Sequence, residues 1–296
     1  MDAEAEGRAA AQRFRREHHL GQQPLGDLVT VIEQTTGIDV AVLGVGPDEH
    51  GLAMRDPDRD VVFIGVARTK HPMRQRSTLA HELAHVLFED WTVTEGWSEP
   101  SPREDRCRAF ARHLLVPLEG LREFLGDRQV TLASLSAVVQ RFLVSPAIAA
   151  IAFEQAGYID RPTSEQWAEF YTPQLAARFG WIDQYRALQA ESDKRRTPQQ
   201  LLARAINGYA LGVLSAQAIA TLCGVTLEEA EADLREAGVY PTDSAVTWAN
   251  ASDLPDVNVD LSGLDDDTPH DDKPGATARL QGPRRDDGDR ACGRRR

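Results

Sequence analysis

Residues 73–88 constrain this chain more tightly than any other stretch. Their sequence, MRQRSTLAHELAHVLF, repeats apolar residues at helical spacing around most of its circumference, so the helix it predicts must be buried. His81, Glu82 and His85 interrupt that apolar surface. Burying such groups is costly unless something satisfies them. One helical turn separates the two histidines, so both rings leave the same face and can grip one metal ion. Glu82 stands on the flank of that face, where it can take a proton from a water beside the metal. A fold that carries this HExxH pattern must bury the helix and still bring a further donor to its polar face.

A zinc hydrolase needs a third protein ligand and one open position. Phe88 and Trp91 stand where a Gly and a third His would continue the pattern along the chain, so the ligand comes from elsewhere. The carboxylates before Pro117 are Glu89, Asp90, Glu95, Glu99, Glu104 and Asp105. Glu104 opens the predicted helix EDRCRAFARHLLVP, and its face runs on through Cys107, Arg108, Ala111 and Leu115, read as core-facing. Asp105 is turned about 100° away, and Glu99 sits in a loop before Pro100 and Pro102. Glu104 is therefore the favoured third ligand; its alternative role is a first-turn acid that complements the helix dipole.

The remaining pattern is α+β. Helices are predicted at Ala3–Glu17 and Pro24–Thr35, strands at Ile38–Val45 and Val61–Ala67, and turn residues at Gly46–Gly51. After the Met73–Phe88 and Ser101–Val116 helices every segment reads as helical. These are Leu118–Phe124, Leu132–Phe142, Ala147–Ala156, Glu165–Phe179, Gln199–Leu214, Ala216–Leu222 and Leu227–Ala237. A small N-terminal sheet with a helical catalytic core thus leads into an all-helical C-terminal region. Charge sets the last boundary. Residues 241–272 hold nine Asp and no Lys, Arg or Glu, and residues 273–296 hold eight Lys or Arg against three Asp. With few large aliphatics to offset ordering entropy, 241–296 is expected to be a disordered tail.

Composition excludes several function classes. No run approaches the roughly 18 apolar residues of a membrane helix. The charged N-terminus lacks the apolar stretch of a secretory signal. Cys107, Cys223 and Cys292 lie too far apart for a disulfide framework or a four-cysteine zinc site, and a cytoplasmic location follows as the expectation. The net charge of −13 argues against nucleic-acid binding by the whole surface.

RQRSTLAHELAHVLF followed by EDRCRAFARHLLVP resembles the ImmA/IrrE family of metallo-endopeptidases. The matching positions are Arg76, Thr78, Leu79, Ala80, His81, Glu82 and His85, then Glu104, Phe110, Ala111, Leu114, Leu115 and Pro117. His50-Gly51-Leu52 and Leu143-Val144-Ser145 extend the likeness to about residues 5–160. The resemblance implies a zincin-like core at 1–160, after which helical pattern and charge mark a helical module at 161–240 and the tail at 241–296. It also implies a Zn2+ ion on His81, His85 and Glu104, with Glu82 as base. Family members characteristically cleave or antagonise helix-turn-helix repressors, so the implied substrate is such a repressor or an antitoxin. The competing reading is a regulator that binds and displaces a repressor without cutting it.

Two departures from the family pattern stand out. The usual Ala-Asn pair is Cys107-Arg108 here. An Asn at 108 could accept a hydrogen bond from a ligand histidine, whereas Arg has no acceptor. Arg108 is expected to pair with Glu82 or Glu104, to contact substrate, or to lie in solvent. The loop 89–103 is also idiosyncratic; Trp91 and Trp97 are expected to serve packing before any cleft. His113 is turned away from the Glu104 face and is discounted as a ligand, and Cys107 is read as a small buried residue. Finally, residues 215–237 mimic a helix-turn-helix with a Thr226–Glu229 capping box. The second helix carries five acids against Arg235, which opposes binding to phosphates, so self-association or docking of a regulator is the preferred role.

Overall fold

A computed structural model describes residues 2–46, 51–91 and 101–242. The described residues all belong to one compact unit. The expected tail, beyond residue 242, lies outside the described residues, as do His50, Glu95, Trp97 and Glu99.

In chain order the elements are α1 (Ala3–Glu17), α2 (Leu28–Thr36), β1 (Asp39–Leu43), β2 (Gly51–Asp56), β3 (Val61–Ala67), α3 (Pro72–Leu87), α4 (Pro102–Leu115), α5 (Leu118–Leu125), α6 (Leu132–Phe142), α7 (Pro146–Gln155), α8 (Arg161–Ala168), α9 (Thr172–Arg178), α10 (Ile182–Ser192), α11 (Gln199–Ala210), α12 (Ala216–Cys223) and α13 (Leu227–Glu236). This is the expected α+β layout, with a small sheet early and helices after it. The sheet has the order β1-β3-β2, with β1 parallel and β2 antiparallel to the central β3. The outer edge of β1 is closed by a bridge between Val42 and Arg196.

Strand β2 was not expected from the sequence. It has no β-branched residue, and Leu52 and Met54 are exposed, so neither propensity nor a buried face marks it. Its pairing with β3, from Gly51↔Val66 to Asp56↔Val61, supplies what the pattern lacks. The single helix expected at Glu165–Phe179 is instead α8 and α9. Pro173 stands in the first turn of α9, where a missing N–H is tolerated but continuation from the preceding helix is not. Helix α10 buries only Tyr185 and Ser192, too thin a stripe to be read. The helix expected to reach Leu214 ends at Ala210, and Gly212 turns the chain at φ 71°. Helix α2 begins at Leu28 because Asp27 caps it, accepting from the Val29 and Thr30 amides.

One continuous core joins α1 to α10 around Ile32, Ile64, Leu83, Phe110, Phe142 and Phe153. Helices α11 to α13 close over a small cluster of their own, Ala205, Ile219 and Leu234. Helix α4 lies between α1 and α3. Gly7 makes the α1 crossing tight: a Cβ there would stand 2.4 Å from the Arg106 carbonyl oxygen and 2.6 Å from the Phe110 nitrogen. Two buried arginines tie chain breaks to helices. Arg15 donates to the carbonyls of Leu114, Gly21 and Gln23. Arg76 donates to those of Leu143, Gly26 and Leu25, at 3.2, 2.5 and 2.7 Å. Leu143 itself sits at φ 54°, in the left-handed region that disfavours side chains. Among the described residues no single helix is long and apolar enough to cross a membrane. The bent pair α6–α7 meets that test by composition, and its apolar side chains largely serve the core.

Candidate metal centre

Helix α3 buries Met73, Leu79, Ala80, Leu83 and Ala84, which leaves His81 and His85 on its remaining face. Helix α4 starts at Pro102 with Ser101 as its cap, the Ser101 hydroxyl accepting from the Glu104 amide at 3.3 Å. That fixes Glu104 in the first turn, facing α3. His81 Nε2 and His85 Nε2 are 3.1 Å apart. Glu104 Oε2 lies 3.1 Å from His81 Nε2, and Oε1 lies 3.3 Å from His85 Nε2. The three residues expected together from the sequence are thus brought together, each offering one donor atom within 4.8 Å of the others.

The donor set fits a divalent cation. Two imidazole nitrogens and a carboxylate converge within reach of one ion, in the combination that suits zinc in hydrolytic sites. Burial and the neighbouring His85 push His81 down to about 4, which keeps its lone pair free at neutral pH. Glu82 is 3% exposed, and its Oε1 has no hydrogen-bond partner among the described residues. Burial, and then the charge of Glu104, push the Glu82 carboxyl up to about 8. A positive charge between these groups would relieve both conditions.

Gly51, at the start of β2, is a site residue that reasoning from the helix alone misses. A Cβ there would come within 2.6 Å of Thr78 Cγ2 and 2.9 Å of Glu82 Oε1. Glycine lets the strand lie directly over the candidate base; its only sequence signal was the His50-Gly51-Leu52 likeness.

Arg108 lies where two of its expected roles, pairing with Glu104 or lying in solvent, would put it, and not on the core-facing arc read for its helix. Its side chain is 50% exposed, not core-facing, because α4 already buries its other sides against α1 and α3. The guanidinium lies 3.3 Å from Asp105 and 3.9 Å from Glu104; these, and not Glu82, are the carboxylates within ion-pair distance among the described residues. Cys107 is fully buried, and burial with the nearby Asp90 and Glu104 charges pushes its thiol up, so it stays protonated. His113 is buried away from the cluster and bonds Glu4 at 2.8 Å, in keeping with its dismissal as a ligand. Trp91 is partly buried, with no partner for its indole nitrogen among the described residues.

Residues 34–154, from within α2 to within α7, match the model of the IrrE N-terminal-like domain, a metallopeptidase family. A search of curated proteins found no match.

Proposed function

We propose that the IrrE N-terminal-like domain of this chain works as a zinc-dependent endopeptidase that cleaves a cytoplasmic helix-turn-helix repressor or antitoxin. The observation that carries the reading is the convergence of His81, His85 and Glu104 beside a buried Glu82 whose Oε1 has no hydrogen-bond partner among the described residues. Those three side chains would hold the ion. When bound, zinc supplies Lewis-acid charge that acidifies water and polarises a peptide carbonyl. Glu82 does the proton work. Its Oε1 accepts the proton of the attacking water as the new C–O bond forms, and gives it to the leaving amine as the C–N bond breaks. Strand β2, whose first residue Gly51 lies against Glu82, has an outer edge with no strand partner among the described residues, whereas β1's outer edge is bridged by Arg196. An extended segment within a longer substrate can therefore add to β2 through backbone hydrogen bonds, which favours internal cleavage. The identity of the substrate rests on resemblance.

The test incubates candidate repressors with wild-type protein and with Glu82→Gln, with fragments read by mass spectrometry and zinc by elemental analysis. Cleavage by the wild type, its loss in Glu82→Gln with zinc retained, and its reversible loss to a chelator support the reading. Absence of zinc after titration overturns it. Repressors displaced intact by both proteins would establish the non-proteolytic alternative.

A further inference from the structure

We propose that Asp90 is a positioning residue for His85, holding a proton on Nδ1 so that the Nε2 lone pair faces His81 and Glu104. The proposal rests on the metallopeptidase reading above. After α3 the chain turns back sharply. Glu89 takes φ 57°, a conformation disfavoured for any residue but glycine, and the Asp90 amide donates to the His85 carbonyl at 2.9 Å. The turn places Asp90 Oδ2 3.9 Å from His85 Nδ1, on the side of the ring opposite the metal cluster. At that separation the carboxylate acts on the ring as a charge, not as a hydrogen-bond partner. With an ion on Nε2 the ring must carry its proton on Nδ1, and a negative charge beside Nδ1 stabilises that form; without the ion, Glu104 Oε1, 3.3 Å from Nε2, pulls the proton the other way, so Asp90 sets the balance between the two tautomers.

The carboxylate is held in place. Its side chain is only 10% exposed, and Arg106 Nη2 lies 2.8 and 2.9 Å from its two oxygens. Arg106 is itself fixed by Glu6 at 2.9 Å and by the Phe88 ring, 4.4 Å from its guanidinium carbon. Cys107 Sγ completes the group, 3.7 Å from Nδ1 and 4.0 Å from Asp90 Oδ2. At position 108, where the family pattern has an Asn able to support a ligand histidine, this chain has an Arg without an acceptor.

The experiment compares Asp90→Ala with Glu6→Ala. Each removes one carboxylate from Arg106, but only the first removes the charge beside His85. Zinc affinity is read by competition with a chromogenic chelator, and the His85 tautomer by nitrogen-15 NMR of the zinc-free protein. Asp90→Ala should weaken zinc binding about 10–100-fold and lower the Nδ1-protonated fraction of His85 relative to wild type; Glu6→Ala should do neither. If Asp90→Ala fails to fold, Asp90→Asn, which keeps the shape and drops the charge, is read the same way. Unchanged tautomer and affinity, or equal losses in both variants, would overturn the proposal. A wild type that takes up no zinc would remove the peptidase reading, while the zinc-free tautomer still decides the role of Asp90.

Discussion

Arg76 offers the sharpest quantitative test of how the metal helix is held. Its guanidinium joins α3 to the approach to α2 and to the α6–α7 junction, through three carbonyls and a side chain 9% exposed overall. Hydrogen bonds to a charged group contribute about 1.5–3 kcal/mol each, so three contribute about 4.5–9 kcal/mol. Against this, burial pushes the guanidinium from 12.5 down to about 10. At about 1.4 kcal/mol per tenfold change in equilibrium, that corresponds to a cost near 3 kcal/mol. Arg76→Met, which fills the space, should therefore cost about 3 kcal/mol net, within a range of about 1–6. For a unit of this size that is a fall in Tm of about 6–12 °C. Differential scanning calorimetry and urea denaturation read it directly. Arg76→Lys should recover only part of the loss, since a compact ammonium cannot match a planar fork aimed at three oxygens. A Tm within 2 °C of wild type for Arg76→Met, or full recovery by Lys, would refute the argument that the three carbonyls depend on this side chain.

Four further outcomes follow from the geometry. Glu104→Ala should lose bound zinc in elemental analysis while Glu99→Ala keeps it; the reverse would relocate the third ligand. Gly51→Val should disturb Glu82 and cut turnover at least tenfold with zinc retained, because even a Cβ meets Thr78 and Glu82 inside 3.0 Å; normal turnover would show that β2 yields freely. Arg108→Asn should leave zinc content unchanged and raise KM, as expected for a half-exposed cation at the rim of the site; a rise in basal cleavage would show instead that Arg108 restrains the enzyme. Stability should fall as pH drops from 7 to 4. For Glu4, burial pushes the carboxyl up, but His113, Arg112 and Gln155 outweigh it and hold it below its usual range, so its contribution is present above about pH 4.5 and fades as pH falls through the folded value. Burial also holds His113 below its usual 6.5, so the unfolded chain gains protons first and stability begins to fall near that pH. Glu4→Gln should flatten the lower part of the Tm profile; an unchanged slope would remove Glu4 from the account.

The metal helix was legible because its two signals are local. Helical periodicity fixes which face is buried, and the i, i+4 histidines name the other face. Glu104 was legible for a related reason, since Ser101 and Pro102 announce a helix start and place it in the first turn. Gly51 and Asp90 were not. Each acts through a backbone approach: one a strand crossing over a helix, the other a left-handed residue after a helix end. Neither leaves a periodic trace. Arg108 was read on the core-facing arc, with solvent left as an alternative, because a helix with two burying neighbours has a wide apolar arc, and the one strip left to solvent cannot be assigned until α1 is known to cover the far side. Strand β2 and helix α10 escaped notice because neither carries a full apolar face.

The close crossing of α1 over α4 bears on the order in which the molecule is made. Glu6 meets Arg106 across 100 residues of sequence, and Arg15 meets Leu114 across 99. At synthesis rates of about 5–20 residues per second, α1 leaves the ribosome roughly 5–20 s before the helix it rests on. During that interval its apolar side, with Ala10, Ala11 and Phe14, has no α4 to cover it. The helix that carries Glu104 gains its outer support only when α1 folds back onto it. A nascent chain that has just produced His81 and His85 is therefore still without its third donor and without the brace behind it.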